Sequence, residues 1–227
     1  MGNRLKMIMK EQELVLNQVN KHKKALFFVF FGGVAEEKNQ VREMVEMRPV
    51  GEENRILIVF EDDKKVIYQK KKLNLERGMN KYFTWMNQSV LKDKKLYCRK
   101  LLEYPDCSFM EMVHCQKYRN VKERRDYYYR TGSLMALIAS LGGNLVSNLD
   151  MIGMQDQPIL DNLDCLRSDN IGFCKNMIRY EELKEKNHLK CGPEDQEEIA
   201  RGYHAVYDYI FNNMADTKAA IELFFKR

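Results

Sequence analysis

The stretch "RTGSLMALIASLGGNLVSNLDMIGMQDQPILDNLDCL", residues 130–166, decides how this chain is read. It opens with Leu134, Leu137 and Leu141 at helical spacing and stops at Gly142-Gly143. A polar loop over residues 144–150 follows, then a short apolar strand closed by acids. A helix, a loop and a strand in that order have the rhythm of an active site. The filling does not match the frame: the loop has no histidine, and Leu145 and Val146 stand at its head.

Working back from this stretch, the helix begins near Val121, so residues 121–141 read as one long helix. Before it, "LYCRKLLEY" and "SFMEMVH" read as two short strands. "LNLERGMNKYFTWMNQSV" reads as a helix, with Leu75, Met79, Tyr82, Phe83 and Met86 on one face. "RILIVF" and "KVIYQ" are strands joined by the turn chemistry of "EDDKK". They predict a hairpin over residues 55–69, with Ile56, Ile58, Val66 and Tyr68 at alternating positions. The apolar run "ALFFVFF", residues 25–31, predicts a buried strand ended by Gly32-Gly33, and the polar stretch after it allows a helix over residues 36–47. Residues 1–24 read as a charged amphipathic helix with Leu5, Ile8, Met9, Leu14, Leu16 and Val19 as its apolar positions. Past the quoted stretch, Ile199, Tyr203, Val206, Tyr207 and Ile210 predict a helix from about Pro193 into the tail.

Strands come first and helices later, which predicts an α+β fold. The expected organisation is a single domain over residues 1–227. A sheet-rich N-terminal lobe covers about residues 1–120 and a helical C-terminal lobe about residues 121–227. An apolar fraction of 44% supports a sizeable core, and a charged fraction of 31% argues against a membrane protein. The run "ALFFVFF" is far shorter than the ~20 residues that cross a bilayer. It also lies too far from Met1 for an ordinary signal peptide, so a cytoplasmic location follows by default. The net charge of +5 is mild. Two basic runs, Lys70 to Lys72 and residues 119–125 interrupted by Glu123, read as solvated faces; with no nucleic-acid signature beside them, no nucleic-acid partner is expected. Cys98, Cys107, Cys115, Cys165, Cys174 and Cys191 form no C-x-x-C pair and have no histidine at zinc-finger spacing. They are expected to be reduced structural thiols, with no metal assigned. His22, His114, His188 and His204 are scattered and are expected at the surface or in packing.

The element order and the block "YYRTGSLMALIASLGGNLVSNLDMIGMQDQPILDNLDCL" resemble the dehydration domain of class II lanthipeptide (lantibiotic) synthetases, a kinase-like fold. The block keeps that family's frame without a gap through Arg130, Gly132, Leu134, Gly142, Gly143, Ile152, Pro158, Leu160, Leu163 and Leu166. "FEDDKKVIYQKKKLNLE" and the tail "IARGYHAVYDYIFNN" extend the likeness, which spans about residues 55–227. The resemblance implies a two-lobe kinase-like architecture. It also implies an ancestral activity that phosphorylates Ser and Thr of a precursor peptide with ATP and magnesium and then eliminates phosphate.

The family's functional residues do not carry over. Its loop aspartate falls on Leu145, its loop histidine on Ser147, and its phosphate-binding lysine on Gln69. A leucine cannot accept a proton, and a glutamine keeps length without charge. Lys70 is adjacent to Gln69, but neighbours on a strand point to opposite faces unless a bulge intervenes. The metal positions fall on Asp150 and Asn162, one carboxylate and one amide with their places exchanged, and Asp164 replaces a family glutamate. Oxygen ligands suit magnesium in either order. Glu111 matches a family glutamate on a strand and reads equally as a structural acid. The family's later Arg- and Thr-bearing segment and its cyclase domain find no counterpart before "ELFFKR", so the chain reads as truncated.

Two functional expectations follow. The first is a catalytically degenerate, pseudokinase-like domain that acts as a binding module for a precursor peptide or a synthetase partner, or is a gene remnant. No catalytic residue and no cofactor is then expected. The alternative is a residual ATP- and magnesium-dependent enzyme acting on Ser or Thr of a precursor peptide, with Asp150 and Asn162 on the metal. Magnesium-dependent ATP binding separates them.

Overall fold

The "ALFFVFF" segment is helical. Helix α1 runs Gly2–Phe31, so the strand expected over residues 25–31 is instead the end of the first helix. Its buried positions, Val15, Val19, Leu26, Phe27 and Phe30, recur at helical intervals, while Phe28 is 75% exposed. On a strand Phe28 and Phe30 would share a face. A short apolar run has no period of its own, and here the register set by Val15 and Val19 continues through it. Leu14, expected on the apolar face, points into solvent. The helix stops at Gly32, whose φ of +66° suits glycine, with the Gly32 and Gly33 amides donating to the Phe28 and Phe27 carbonyls.

The computed structural model describes residues 2–36, 38–47, 54–143, 151–161, 163, 166, 171–175, 177, 179–180 and 191–226, with side chains from residue 10 onward. The chain divides into two compact units, Met1–Leu73 with Arg99–Met112, and Asn74–Cys98 with Val113–Arg227.

The first unit is built on a five-stranded antiparallel sheet in the order β1-β2-β3-β5-β4. Its strands are β1 (Val41–Glu46), β2 (Arg55–Phe60), β3 (Lys65–Gln69), β4 (Leu101–Glu103) and β5 (Ser108–Glu111). The expected hairpin is present, with Asp63 at φ 60° in its turn. Strand β1 replaces the helix that the polar stretch allowed over residues 36–47. "VREMVE" is an edge strand with a bulge between Val41 and Glu43. Its charges face water and Val41 and Met44 face the sheet, and charged edges of this kind resist further strand pairing. Helix α1 covers one face of the sheet, over Ile58, Phe60, Val66, Tyr68 and Phe109. The other face carries a smaller apolar group of Ile67, Leu73 and Met110, flanked by Leu57 and Leu101.

The second unit holds α2 (Asn74–Ser89), α3 (Val121–Ser140), the hairpin β6 (Met151–Met154) and β7 (Gln157–Leu160), α4 (Pro193–Asn212) and α5 (Met214–Phe224). Met79, Tyr82, Phe83 and Met86 form the buried face of α2, as their spacing predicts. Asn120 caps α3 by accepting from the Glu123 amide, and α4 starts with Pro193 in its first turn. The single tail helix expected from Pro193 is broken at Asn213, whose φ of −127° ends α4 and starts α5. Ile199, Tyr203, Val206 and Ile210 of α4 and Ile221 of α5 share one core with Leu134 to Leu141. The α+β class therefore stands: a sheet-rich unit first in sequence, and a helical unit that also takes α2.

Candidate functional site

Strand β3 places Gln69. Its pairing with β2 is regular from Val59↔Lys65 to Arg55↔Gln69, and its pairing with β5 is regular from Val66↔Glu111 to Gln69↔Ser108. No bulge shifts the register before Gln69, which is 3% exposed, and Lys70 beyond the strand end is exposed. The neighbouring lysine therefore does not replace Gln69 within the sheet. Directly paired residues lie on one face. Arg55, Gln69, Ser108 and Glu103 thus form a polar row across β2, β3, β5 and β4.

Sequence reading missed this row beyond Gln69. Arg55 is 6% exposed and Ser108 is fully buried. The Ser108 hydroxyl donates to the Lys71 carbonyl, and the Glu103 carboxylate accepts from the Leu73 amide at 2.8 Å. The signal was the arginine opening "RILIVF", a charge at a position the β-strand pattern buries. Glu111 pairs with Val66, three residues from Gln69, so it belongs to the opposite face. Its carboxylate accepts from the Lys100 amide at 3.1 Å, which makes it a structural acid of the sheet.

In the helical unit, α3 ends where the loop frame begins. Its two closing glycines serve different purposes. Gly142 has a φ of +73°, the left-handed turn that ends a helix. At Gly143 a Cβ would lie 2.4 Å from Ile138 Cγ2 and 2.8 Å from Leu166 Cδ2, so the close approach of chain leaves no room for a side chain. Leu145, Ser147, Asp150, Asn162 and Asp164 lie outside the described residues.

The hairpin after the loop is clamped to α3. Arg130, buried in mid-helix, donates to the Lys95 carbonyl, the Asp156 carbonyl and the Asp156 carboxylate, each at 2.9 Å. Residues 155–156 form the β6–β7 turn, with Gln155 held at φ 55° while its amide donates to the Gln116 carbonyl at 2.9 Å. Arg130 was legible only as a framework residue; its partner Asp156 carries no local signal. Tyr127, Tyr128 and Tyr129 of α3 are partly buried, and burial pushes their hydroxyls up.

Among the described residues, no group of three His, Cys, Asp or Glu side chains converges to hold a metal ion. Cys98, Cys107, Cys115, Cys174 and Cys191 are free thiols, and burial raises Cys107 and Cys191. Among the same residues, no helix is long and apolar enough to cross a membrane.

The architecture is thus a two-unit α+β chain with a buried polar row in its sheet and a hairpin clamped to α3. A family model described as "Domain of unknown function (DUF4135)" matches residues 51–194, well over half of the chain, and the protein belongs to that family. No curated protein matches the chain.

Proposed function

We propose that this protein is a catalytically degenerate, dehydration-like domain of the lanthipeptide-synthetase kind, serving as a binding module for a precursor peptide or a synthetase partner. The observation that carries this reading is the placement of Gln69. The position that the resemblance assigns to a phosphate-binding lysine is a neutral side chain, buried in a strand of regular register, and the next lysine is outside the sheet. Phosphoryl transfer depends on positioned positive charge, so losing it there agrees with the loss of acid–base groups at Leu145 and Ser147. Incubation of the purified chain with a precursor peptide, ATP and magnesium should leave the peptide mass unchanged, while calorimetry with the same peptide should register binding. A phosphorylated or dehydrated peptide would overturn the degenerate reading, and no heat of binding would remove the precursor peptide as its partner.

A residual ATP- and magnesium-binding site is the second reading, with Asp150 and Asn162 on the metal. What favours it is Arg55, which keeps a positive charge directly across from Gln69 on the neighbouring strand. Under this reading ATP raises thermal stability only with magnesium present, and the effect disappears in Asp150→Ala. A shift that is independent of magnesium, or no shift at all, removes it.

A further inference from the structure

The basic run at residues 119–125 has no part in the reading above, and the structure divides it. Arg119 pairs with Glu123 at 2.7 Å, and Arg124 pairs with Asp195 at 2.6 Å. Lys122 and Arg125 are both exposed, and among the described residues neither forms an ion pair. Three residues apart on α3, they project from the same side of the helix. Both line one cavity of about 500 Å³ inside the helical unit, walled by α3, α4 and the segment after α2.

The charges around that cavity do not cancel. Lys94 is bonded to Asp126, and Arg201 holds both carboxylate oxygens of Glu198 at 3.0 Å. Those two acids are thereby matched. What is left is Lys122 and Arg125 against Asp93 alone. Tyr129 adds an aromatic wall and Val90 and Val121 add apolar surface. A concavity of this size falls in the range of small-molecule sites, about 300–1,000 Å³. An arginine fork beside a lysine suits a doubly charged oxyanion, since the guanidinium makes paired hydrogen bonds and the ammonium acts as a point charge.

We propose that this cavity binds a small phosphate monoester carrying an apolar group, with Lys122 and Arg125 on the phosphate and Tyr129 against the apolar body. The site draws on none of the residues that the nucleotide reading uses.

Phenyl phosphate, titrated into the full chain at low salt by calorimetry, tests it directly, with benzoate and benzyl alcohol as single-charge and neutral comparisons. Saturable binding is expected, tightest for phenyl phosphate, weaker for benzoate and absent for benzyl alcohol. Lys122→Gln with Arg125→Gln should weaken it by about tenfold or more, with an unchanged melting temperature because both side chains are at the surface. Lys21→Gln with Lys24→Gln, an equal loss of charge from exposed positions of α1, should leave it unchanged. The proposal is overturned by no saturation up to about 10 mM, by equal binding of benzyl alcohol, or by an equal loss in the two double variants.

Discussion

Gly132 on α3 and Gly202 on α4 are the places where two helices meet backbone to backbone. A Cβ on Gly132 would stand 1.9 Å from the Ile199 carbonyl oxygen, and one on Gly202 would stand 1.8 Å from the Tyr129 carbonyl oxygen. Between them the Ser133 hydroxyl lies 3.0 Å from the Tyr129 carbonyl oxygen and 3.2 Å from that of Gly202. This contact fixes how closely α3 and α4 approach.

Gly132→Ala and Gly202→Ala should therefore both destabilise the chain. Alanine is the better helix former by about 1 kcal/mol, but the obstacle here is backbone, which cannot swing aside as a side chain does. Overpacking costs about 1–3 kcal/mol, occasionally more, and the upper end applies. Denaturant unfolding should give a net loss of about 2 kcal/mol or more for each. The double variant should lose less than the sum, because helices already spread by one methyl admit the second more easily. Full additivity would mean that the glycines do not share one contact.

Arg130 is the second structural test. Its guanidinium is nearly out of solvent and satisfies two carbonyls and one carboxylate. Arg130→Met removes all of these and leaves their acceptors unmatched, which should cost about 3–5 kcal/mol. Asp156→Asn leaves the two carbonyl contacts in place and should cost about 1–2 kcal/mol. Equal losses in the two variants, measured by unfolding, would show that the ion pair alone holds the hairpin.

The stretches that carried their own period or turn were legible in the sequence. The hairpin of β2 and β3, the face of α2 and the stop at Gly142-Gly143 all follow from local pattern, whereas α3 is buried on every side from Arg130 to Ser140, which a leucine period does not announce. "ALFFVFF" was misread because seven apolar residues fit a strand and a helix equally, and only Val15 and Val19 earlier in the chain settle the choice. "VREMVE" was misread because an edge strand shows water the charges that a surface helix also shows. The break at Asn213 has no proline or glycine to announce it. Of the candidate site, Gln69 was legible as a position, but its neighbours were not. Arg55, Ser108 and Glu103 come together only through strand pairing between distant segments, which no local pattern encodes.

A pH dependence is expected from His22. Its ring stacks on Tyr104 with centroids 3.4 Å apart, and Nε2 is buried without a hydrogen-bond partner among the described residues. Burial, helped by the charge of Lys21, holds its pKa below the ordinary histidine value of 6.5. The folded state then binds protons less readily than the unfolded chain. Stability from this residue is fully present above about pH 6.5 and is lost as pH falls from there through the folded pKa. His22→Phe keeps the stack and removes the titration, so its unfolding free energy should be flatter between pH 7 and pH 5 than that of the parent. An unchanged slope would assign the effect to other groups.

The most informative substitution is the one that restores the missing lysine. Gln69→Lys would place an ammonium directly across from Arg55, with both positions more than nine-tenths buried. Like charges at paired strand positions repel, and a buried ammonium loses its hydration, so the new lysine should titrate low or spread the sheet. Loss of about 2–3 kcal/mol is expected in denaturant unfolding. Arg55→Gln in the same chain should recover much of it, because the repulsion goes with the second charge. Neither chain should phosphorylate or dehydrate a precursor peptide, even with Leu145→Asp added, since Ser147 still stands where the resemblance calls for a histidine. Two outcomes would reverse the picture. If Gln69→Lys is as stable as the parent, the row does not sense charge. If Gln69→Lys with Leu145→Asp yields phosphorylated peptide by mass spectrometry, the catalytic frame was intact and lacked only those two side chains.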